Sequence, residues 1–328
     1  MKQDSQTGYS DFSEKFDKNS YQENCVFLQL KNPQATSPIQ FRAFSEASFP
    51  PEQIDQYAFE IKEALAQHPY ACGVIKKALE IRNLDQVVVF IKNEPSFYAS
   101  LMSGNDHASV KFKNNEAHIY TIPSNIPDFI DRVMFELCNA ANEKLHKAYT
   151  INLYNLIKNG PNGFAYRIEK AEFESSRMMV WLMETKPHSD YWQISYKFAG
   201  LLPITRYPKY TLEEYWQKVN TKRWYFFGSM HSDSYRNQWK NLVNSIDYNL
   251  INQVLIEILK TDDIETLKLL CLAYDKNQVK QMITKFDENF INEGRDNACF
   301  NFLLEQKYID SKLLFEEITH EQSRSSYL

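Results

Sequence analysis

The stretch "DRVMFELCNAANEKL", residues 131–145, decides how the middle of this chain is read. Together with the residue before it, its apolar positions recur as Ile130, Val133, Met134, Leu137, Ala141 and Leu145, the i, i+3, i+4, i+7 pattern of a helix that buries one stripe. Phe135 extends the apolar surface onto an adjoining face. Glu136 and Asn139 lie off the stripe, one turn apart, and packing alone predicts a half-exposed Glu beside a satisfied Asn. Cys138 lies ten or so residues inside the helix and reads as a small buried hydrophobe. A nucleophilic thiol is usually activated at a helix N-terminus or beside a cation.

Working outward, "PSNIPDF" (123–129) supplies a helix start: Ser124 or Asn125 as N-cap, Pro127 in the first turn, and Asp128 near the positive end of the dipole. The helix is predicted to run to about Tyr149. Before it the period changes to two. "QVVVFIKN" is β-branched and continuous, and "HASVKFKN" and "EAHIYTIP" alternate on either side of Asn114-Asn115, which predicts a hairpin over 108–122. Earlier still, "PPEQIDQYAFEIKEALAQH" has helical spacing at Ile54, Tyr57, Ala58, Ile61 and Leu65, with Pro51 suited to its first turn, and "ACGVIKKALEIRN" reads as a second helix. Residues 1–24 are too polar to offset the cost of ordering and are expected to be flexible, with order beginning near "CVFLQL".

On the other side, Gly160 to Gly163 reads as a loop leading to a helix through Glu169, Glu172 and Met179. Two aromatic-rich stretches follow, over 190–220 and 222–246. Trp224-Tyr225-Phe226-Phe227, Tyr235 and Trp239 are expected mainly in the core, with a ligand groove as the alternative. His231, in the Gly-containing segment "GSMHSDSY", is the histidine least explained by packing. After about residue 245, "LINQVLIEILK", "IETLKLLCLAY", "QVKQMITKF" and "ACFNFLLEQ" read as short apolar helices. The expected class is therefore α+β: a flexible segment 1–24, a main domain 25–245 with a small mixed sheet and packed helices, an all-α part 246–315, and a tail 316–328.

Bulk properties remove several functions. The formal net charge is −5 and there are only 8 glycines in 328 residues, about a third of the usual frequency of ~7%. No glycine-rich phosphate loop is present, which weighs against nucleotide-dependent kinases, NTPases and Rossmann dehydrogenases, and no nucleic-acid partner is expected. Five scattered cysteines, Cys25, Cys72, Cys138, Cys271 and Cys299, form no C-x-x-C pair and read as reduced thiols. A Cys/His enzyme with His118, His146, His188 or His231 as base is disfavoured, because neither Cys25 nor Cys72 has a signature around it. No secretory leader and no apolar run long enough to span a bilayer is seen.

Phe135-Glu136-Leu137-Cys138-Asn139, preceded by two helices, a sheet and the strand "EAHIYTI", resembles the H-E-x-x-H helix of zincin metallopeptidases with both histidines replaced. The resemblance covers roughly residues 50–185. In that family two imidazoles at i and i+4 bind zinc and the Glu activates the metal-bound water. It implies Phe135 and Asn139 at the ligand positions, Glu136 at the base position, "EAHIYTI" as a substrate-pairing edge, and Glu169, Glu172 or Glu174 in the order of a third ligand. Phe cannot bind zinc and Asn is a weak neutral ligand, so the usual zinc site is not expected. Glu136, Asn139 and Glu172, with His231, could instead form a carboxylate site for acid/base work or for an oxygen-preferring divalent cation. No other cofactor is expected.

The tail "LLFEEITHEQSRSSYL" has Glu316, Glu317 and Glu321, then Ser323, Ser325 and Ser326, then Tyr327 and Leu328. It is similar in composition to the Dot/Icm type IV secretion signals of intracellular bacterial pathogens. That similarity implies an effector made in the bacterial cytoplasm and delivered to the host cytoplasm. The main domain is then either hydrolytic through the residues above or inactive. The alternative is a non-enzymatic effector whose helical carboxy-terminal part binds a host protein.

Overall fold

The structure is a computed structural model of the 328-residue chain, and it describes residues 39–44, 49–92, 108–121, 126–185, 211–220, 231–283 and 297–309. The expectations for residues 1–24, "CVFLQL", the Ser124/Asn125 cap, Trp224 to Phe227 and the tail 316–328 lie outside the described residues, as do Cys25 and His188.

The element order is β1 (Ile39–Ala43), α1 (Pro51–Gln67), α2 (Ala71–Arg82), β2 (Gln86–Ile91), β3 (Ala108–Lys113), β4 (Glu116–Thr121), α3 (Ile126–Ala141), α4 (Glu143–Tyr149), α5 (Leu153–Glu184), α6 (Leu212–Asn220), α7 (His231–Asn244), α8 (Tyr248–Lys260), α9 (Ile264–Ala273), α10 (Lys276–Ile283) and α11 (Ala298–Glu305). The fold is thus α+β, with a four-stranded sheet and a helical carboxy-terminal region. The chain forms two compact units. Unit 1 takes residues 1–150 and 166–232, and unit 2 takes 151–165 and 233–328.

In unit 1, Asn114 and Asn115 both adopt positive φ (53° and 59°), as a two-residue hairpin turn requires and asparagine tolerates. The sheet order is β1-β2-β4-β3. β1, β2 and β4 run parallel and β3 is the antiparallel edge. "EAHIYTI" is therefore an interior strand, bonded to β2 on one side and β3 on the other, and not the expected edge. Helices α1 and α3 touch the sheet and α2 packs on α3. Ile61, Leu65, Val74, Val89, Ile119, Phe129 and Leu137 share one core with Met178, Met179, Trp181 and Leu182 of α5. Phe173 of α5 forms a second, smaller cluster with Tyr215 and Val219 of α6.

Two helix predictions are corrected. The helix expected to reach Tyr149 stops at Asn142, whose extended backbone (φ −83°, ψ 105°) lets its side chain accept from Lys144 N–H and Leu145 N–H and start α4. The loop expected at Gly160 to Gly163 is a kink inside α5. Gly160 has φ 63°, Pro161 follows it, and a Cβ on Gly160 would stand 2.7 Å from Leu269 Cδ2. Glycine meets both demands, the left-handed backbone and the close approach of a side chain.

In unit 2 the helices are begun by side chains. Asp247 accepts from Asn249 N–H, Asp263 from Thr266 N–H, and Asn297 from Phe300 N–H. Asp262 reaches the first turn of α11, accepting from Ala298 N–H at 3.1 Å and Cys299 N–H at 2.8 Å. Asp263 also accepts from Tyr154 OH and Lys158 Nζ. Partial burial opposes its charge, but the bonds from Lys158, Thr266 and Tyr154 outweigh that and hold its carboxyl down at about 2. Trp239 is buried, as expected, and donates Nε1–H to the Leu156 carbonyl at 2.7 Å.

Candidate functional site

Helix α3 is buried on every side from Phe129 to Asn142. The stripe predicted one buried face, but the sheet, α1 and α2 surround the helix, so positions off the stripe are interior too. Glu136 is 6% exposed and Asn139 4%, which corrects the expected half-exposed Glu. Asn139 Nδ2–H donates to Glu136 Oε2 at 3.4 Å, a long bond, and Asn139 Oδ1 is buried without a hydrogen-bond donor. Asp131 and Arg132 of this helix are also buried, as is Asn142 just after it. Arg132, Glu136 and Asn139 fall at i, i+4, i+7 and so share one face.

Asn142 ties α3 to α5: its Nδ2–H groups donate to Ala171 carbonyl oxygen at 2.7 Å and Ser175 Oγ at 2.9 Å. The three glutamates considered as a third ligand then separate. Glu169 is fully buried and accepts from Tyr215 OH at 2.8 Å. Glu174 is ion-paired with Lys144. Glu172 is half-buried beside Tyr215, whose hydroxyl is pushed far above its ordinary value by burial and by the charges of Glu169 and Glu172. The structure brings Glu136 and Asn139 together, and places Glu172 with Tyr215 and Glu169. His231, expected in a loop, is the first residue of α7, where Ser232 follows it and donates to Asn220 Oδ1 at 3.1 Å.

The residues at the zinc positions do not fit zinc. Phe135 has no lone pair to give, and the amide nitrogen of Asn139 is turned to Glu136. Among the described residues, no group of three or more His, Cys, Asp or Glu side chains is placed to hold a metal ion. The thiol reading fares no better. Cys72, Cys138 and Cys299 are buried, and burial, helped by Glu136, pushes the Cys138 thiol far above its ordinary value. Among the described residues no helix is long and apolar enough to cross a membrane.

A second polar cluster was not flagged by sequence reading. On β4, His118 Nε2 lies 2.7 Å from Glu116 Oε2 and His118 Nδ1 lies 3.3 Å from Tyr120 OH, while Gln86 Nε2–H also donates to Glu116. The i, i+2, i+4 spacing that puts these three on one face was legible in "EAHIYTI" as strand alternation. Nothing in that alternation marks it as chemistry. Compared with known proteins, the chain matches no family model, no curated protein and no solved structure.

Proposed function

We propose that this chain is a translocated bacterial effector that acts by binding a host protein, with unit 1 a degenerate, catalytically silent zincin-like scaffold. The observation that carries the silent reading is the burial of Glu136 and Asn139 in a helix enclosed on all sides. A general base must reach substrate and water, and this carboxylate is packed away from both. The order of two helices, sheet, short connection and helix supports the scaffold reading. Apolar side chains left in water in unit 2, Tyr248 and Leu250 on α8 and Leu272 on α9, supply surface for a partner. The acidic and serine-rich tail supports delivery.

One atom favours a second reading. Asn139 Oδ1, buried and lacking a donor beside a carboxylate, is an acceptor that a water or a hard cation would satisfy, which would keep Glu136 as the base of a hydrolytic site.

The two readings separate on the purified full chain. Incubation with a peptide library and Zn, Mn, Mg or Ca is expected to yield no cleavage and no thermal shift. Cleavage that disappears in Glu136→Gln would overturn the silent reading. A host protein captured by the full chain is expected to be lost when residues 246–328 are deleted, and an unchanged partner set refutes that assignment. A reporter fused to the chain is expected to reach the host cytoplasm only while residues 316–328 are present.

A further inference from the structure

Strand alternation turns one face of the sheet to α1 and α3 and the other away from them. On the second face Arg42 pairs across with Phe90, Phe90 with Tyr120, and Lys111 with His118, while Lys113 is opposite Glu116. Arg42, Lys111 and Lys113 are exposed. Lys92 follows β2, and its Nζ stands 4.7 Å from the centroid of the Tyr120 ring; Lys111 Nζ stands 5.7 Å from the same centroid.

Two ammonium groups are thus drawn to one ring, and among the described residues neither has a carboxylate partner. Partial burial, and then repulsion from Lys111, pushes the Lys92 ammonium below its ordinary value. The one carboxylate among the described residues of this face, Glu116, is engaged by His118 and Gln86 and does not neutralise them. In a chain of net charge −5, the described residues of this face carry four basic side chains against one acid. Like charges held together without a counter-charge favour any anion that can sit between them.

The rings show which anion. Phe90 and Tyr120 are stacked on each other, with centroids 5.2 Å apart and planes at 15°, and the lysines approach Tyr120. A nucleobase would need a free aromatic face to stack on, and Tyr120 does not present one. Phosphate needs only ammonium and guanidinium groups, and Arg42 on β1, Lys92 just after β2, and Lys111 and Lys113 on β3 supply several of them for several phosphates. We propose that Lys92 and Lys111 beside Tyr120, with Arg42 and Lys113 at the rim, form a binding site for a ligand carrying two or more phosphate groups, either a free phosphate ester or a phosphorylated lipid headgroup.

The test is calorimetric titration of the full chain with pyrophosphate and with inositol hexakisphosphate. It is run beside co-sedimentation with phosphatidylcholine vesicles, with and without phosphatidylinositol bisphosphate. Binding that weakens as salt rises is expected, and Lys92→Gln with Lys111→Gln is expected to weaken it by about tenfold or more. Lys111→Gln alone, at an exposed position, should weaken it with an unchanged melting temperature, whereas Lys77→Gln on α2 should leave it unchanged. Binding of the soluble phosphates alone identifies a free ligand, and binding of the doped vesicles identifies a headgroup. No binding in either arm, equal loss in Lys77→Gln, unchanged affinity in the double variant, or tighter binding of a single-stranded oligonucleotide overturns the proposal.

Discussion

Two carboxylates of unit 1 each take a hydrogen bond from a near neighbour in sequence, and the two bonds differ in kind. Glu136 is interior and accepts from Asn139 three residues on, at 3.4 Å. Glu116 keeps a fifth of its side chain in water and meets His118 two residues on, at 2.7 Å, with Gln86 as a further donor. The helix pair carried the motif, yet it is enclosed by the sheet, α1 and α2. The strand pair carried no motif and lies on the face turned from α1 and α3. Periodicity tells which side chains share a face; what else packs on that face decides whether they can meet a ligand.

The enclosure of α3 rests on the packing around it. Phe129 is fully buried and stacks on Tyr57 at 5.1 Å. Phe129→Ala is expected to cost about 3–5 kcal/mol, read as a fall in the urea midpoint with unchanged slope. A cost below about 1 kcal/mol would mean that α3 is not enclosed, and Glu136 would return as a surface group.

Histidines draw the same contrast. His68 is fully buried: its Nε2–H donates to the Leu182 carbonyl at 2.9 Å and its Nδ1 accepts from Tyr70 N–H at 3.1 Å, so neither nitrogen can take a further proton without losing a bond. Burial, opposed only in part by the Leu182 bond, lowers its pKa from 6.5 to about 4. The folded value lies below the unfolded one, so the unfolded chain binds the extra proton between them. The stability His68 contributes is complete above 6.5 and is lost as pH falls toward 4, by about 3 kcal/mol in all. Urea titrations of wild type and His68→Gln across that window check it, and the variant's curve should be flatter. An equally steep curve would assign the acid sensitivity elsewhere.

Much of this architecture was legible. Pro51, the Asn114-Asn115 turn and the apolar periods of α8, α9 and α11 are local signals that tertiary packing had no reason to override. The break at Asn142 was missed because a helix-compatible apolar period continues through Ala141 and Leu145. Only the Asn142 side chain, held between Lys144 N–H, Ala171 and Ser175, makes stopping favourable. The kink at Gly160-Pro161 reads as a loop in the sequence because glycine and proline break isolated helices, whereas Leu269 packs against this one. Glu136 and Asn139 were found but misplaced in depth. Glu116 and Lys92 carry no signal in the sequence, and His118 stands there only as a possible base for a cysteine, because alternation alone is what any half-buried strand shows.

Asn142 supplies the next prediction. Asn142→Ala removes the cap of α4 and leaves the Ala171 carbonyl and Ser175 hydroxyl without its amide, so it should cost about 2 kcal/mol. Asn142→Asp restores the cap acceptor but not the two donated bonds. An intermediate loss in its melting temperature is expected. Equal losses in both variants would assign the whole effect to the tie between α3 and α5.

The smallest effect is expected at the strand pair. His118, then Gln86, hold the Glu116 carboxyl below its ordinary value of 4.5, so what it contributes is present above that value and is lost as pH falls below it. Water screens the pair, and Glu116→Gln should cost less than about 1 kcal/mol at neutral pH, with less acid destabilisation than wild type. The measurement is a pair of urea midpoints, one at neutral and one at acid pH. A loss above about 2 kcal/mol would place Glu116 among the interior groups with Glu136, and the outer face of the sheet would then be structural in the same sense as α3. A loss near zero leaves Glu116 with the role of orienting His118 beside Lys111, a role that phosphate binding by the same variant would read and stability would not.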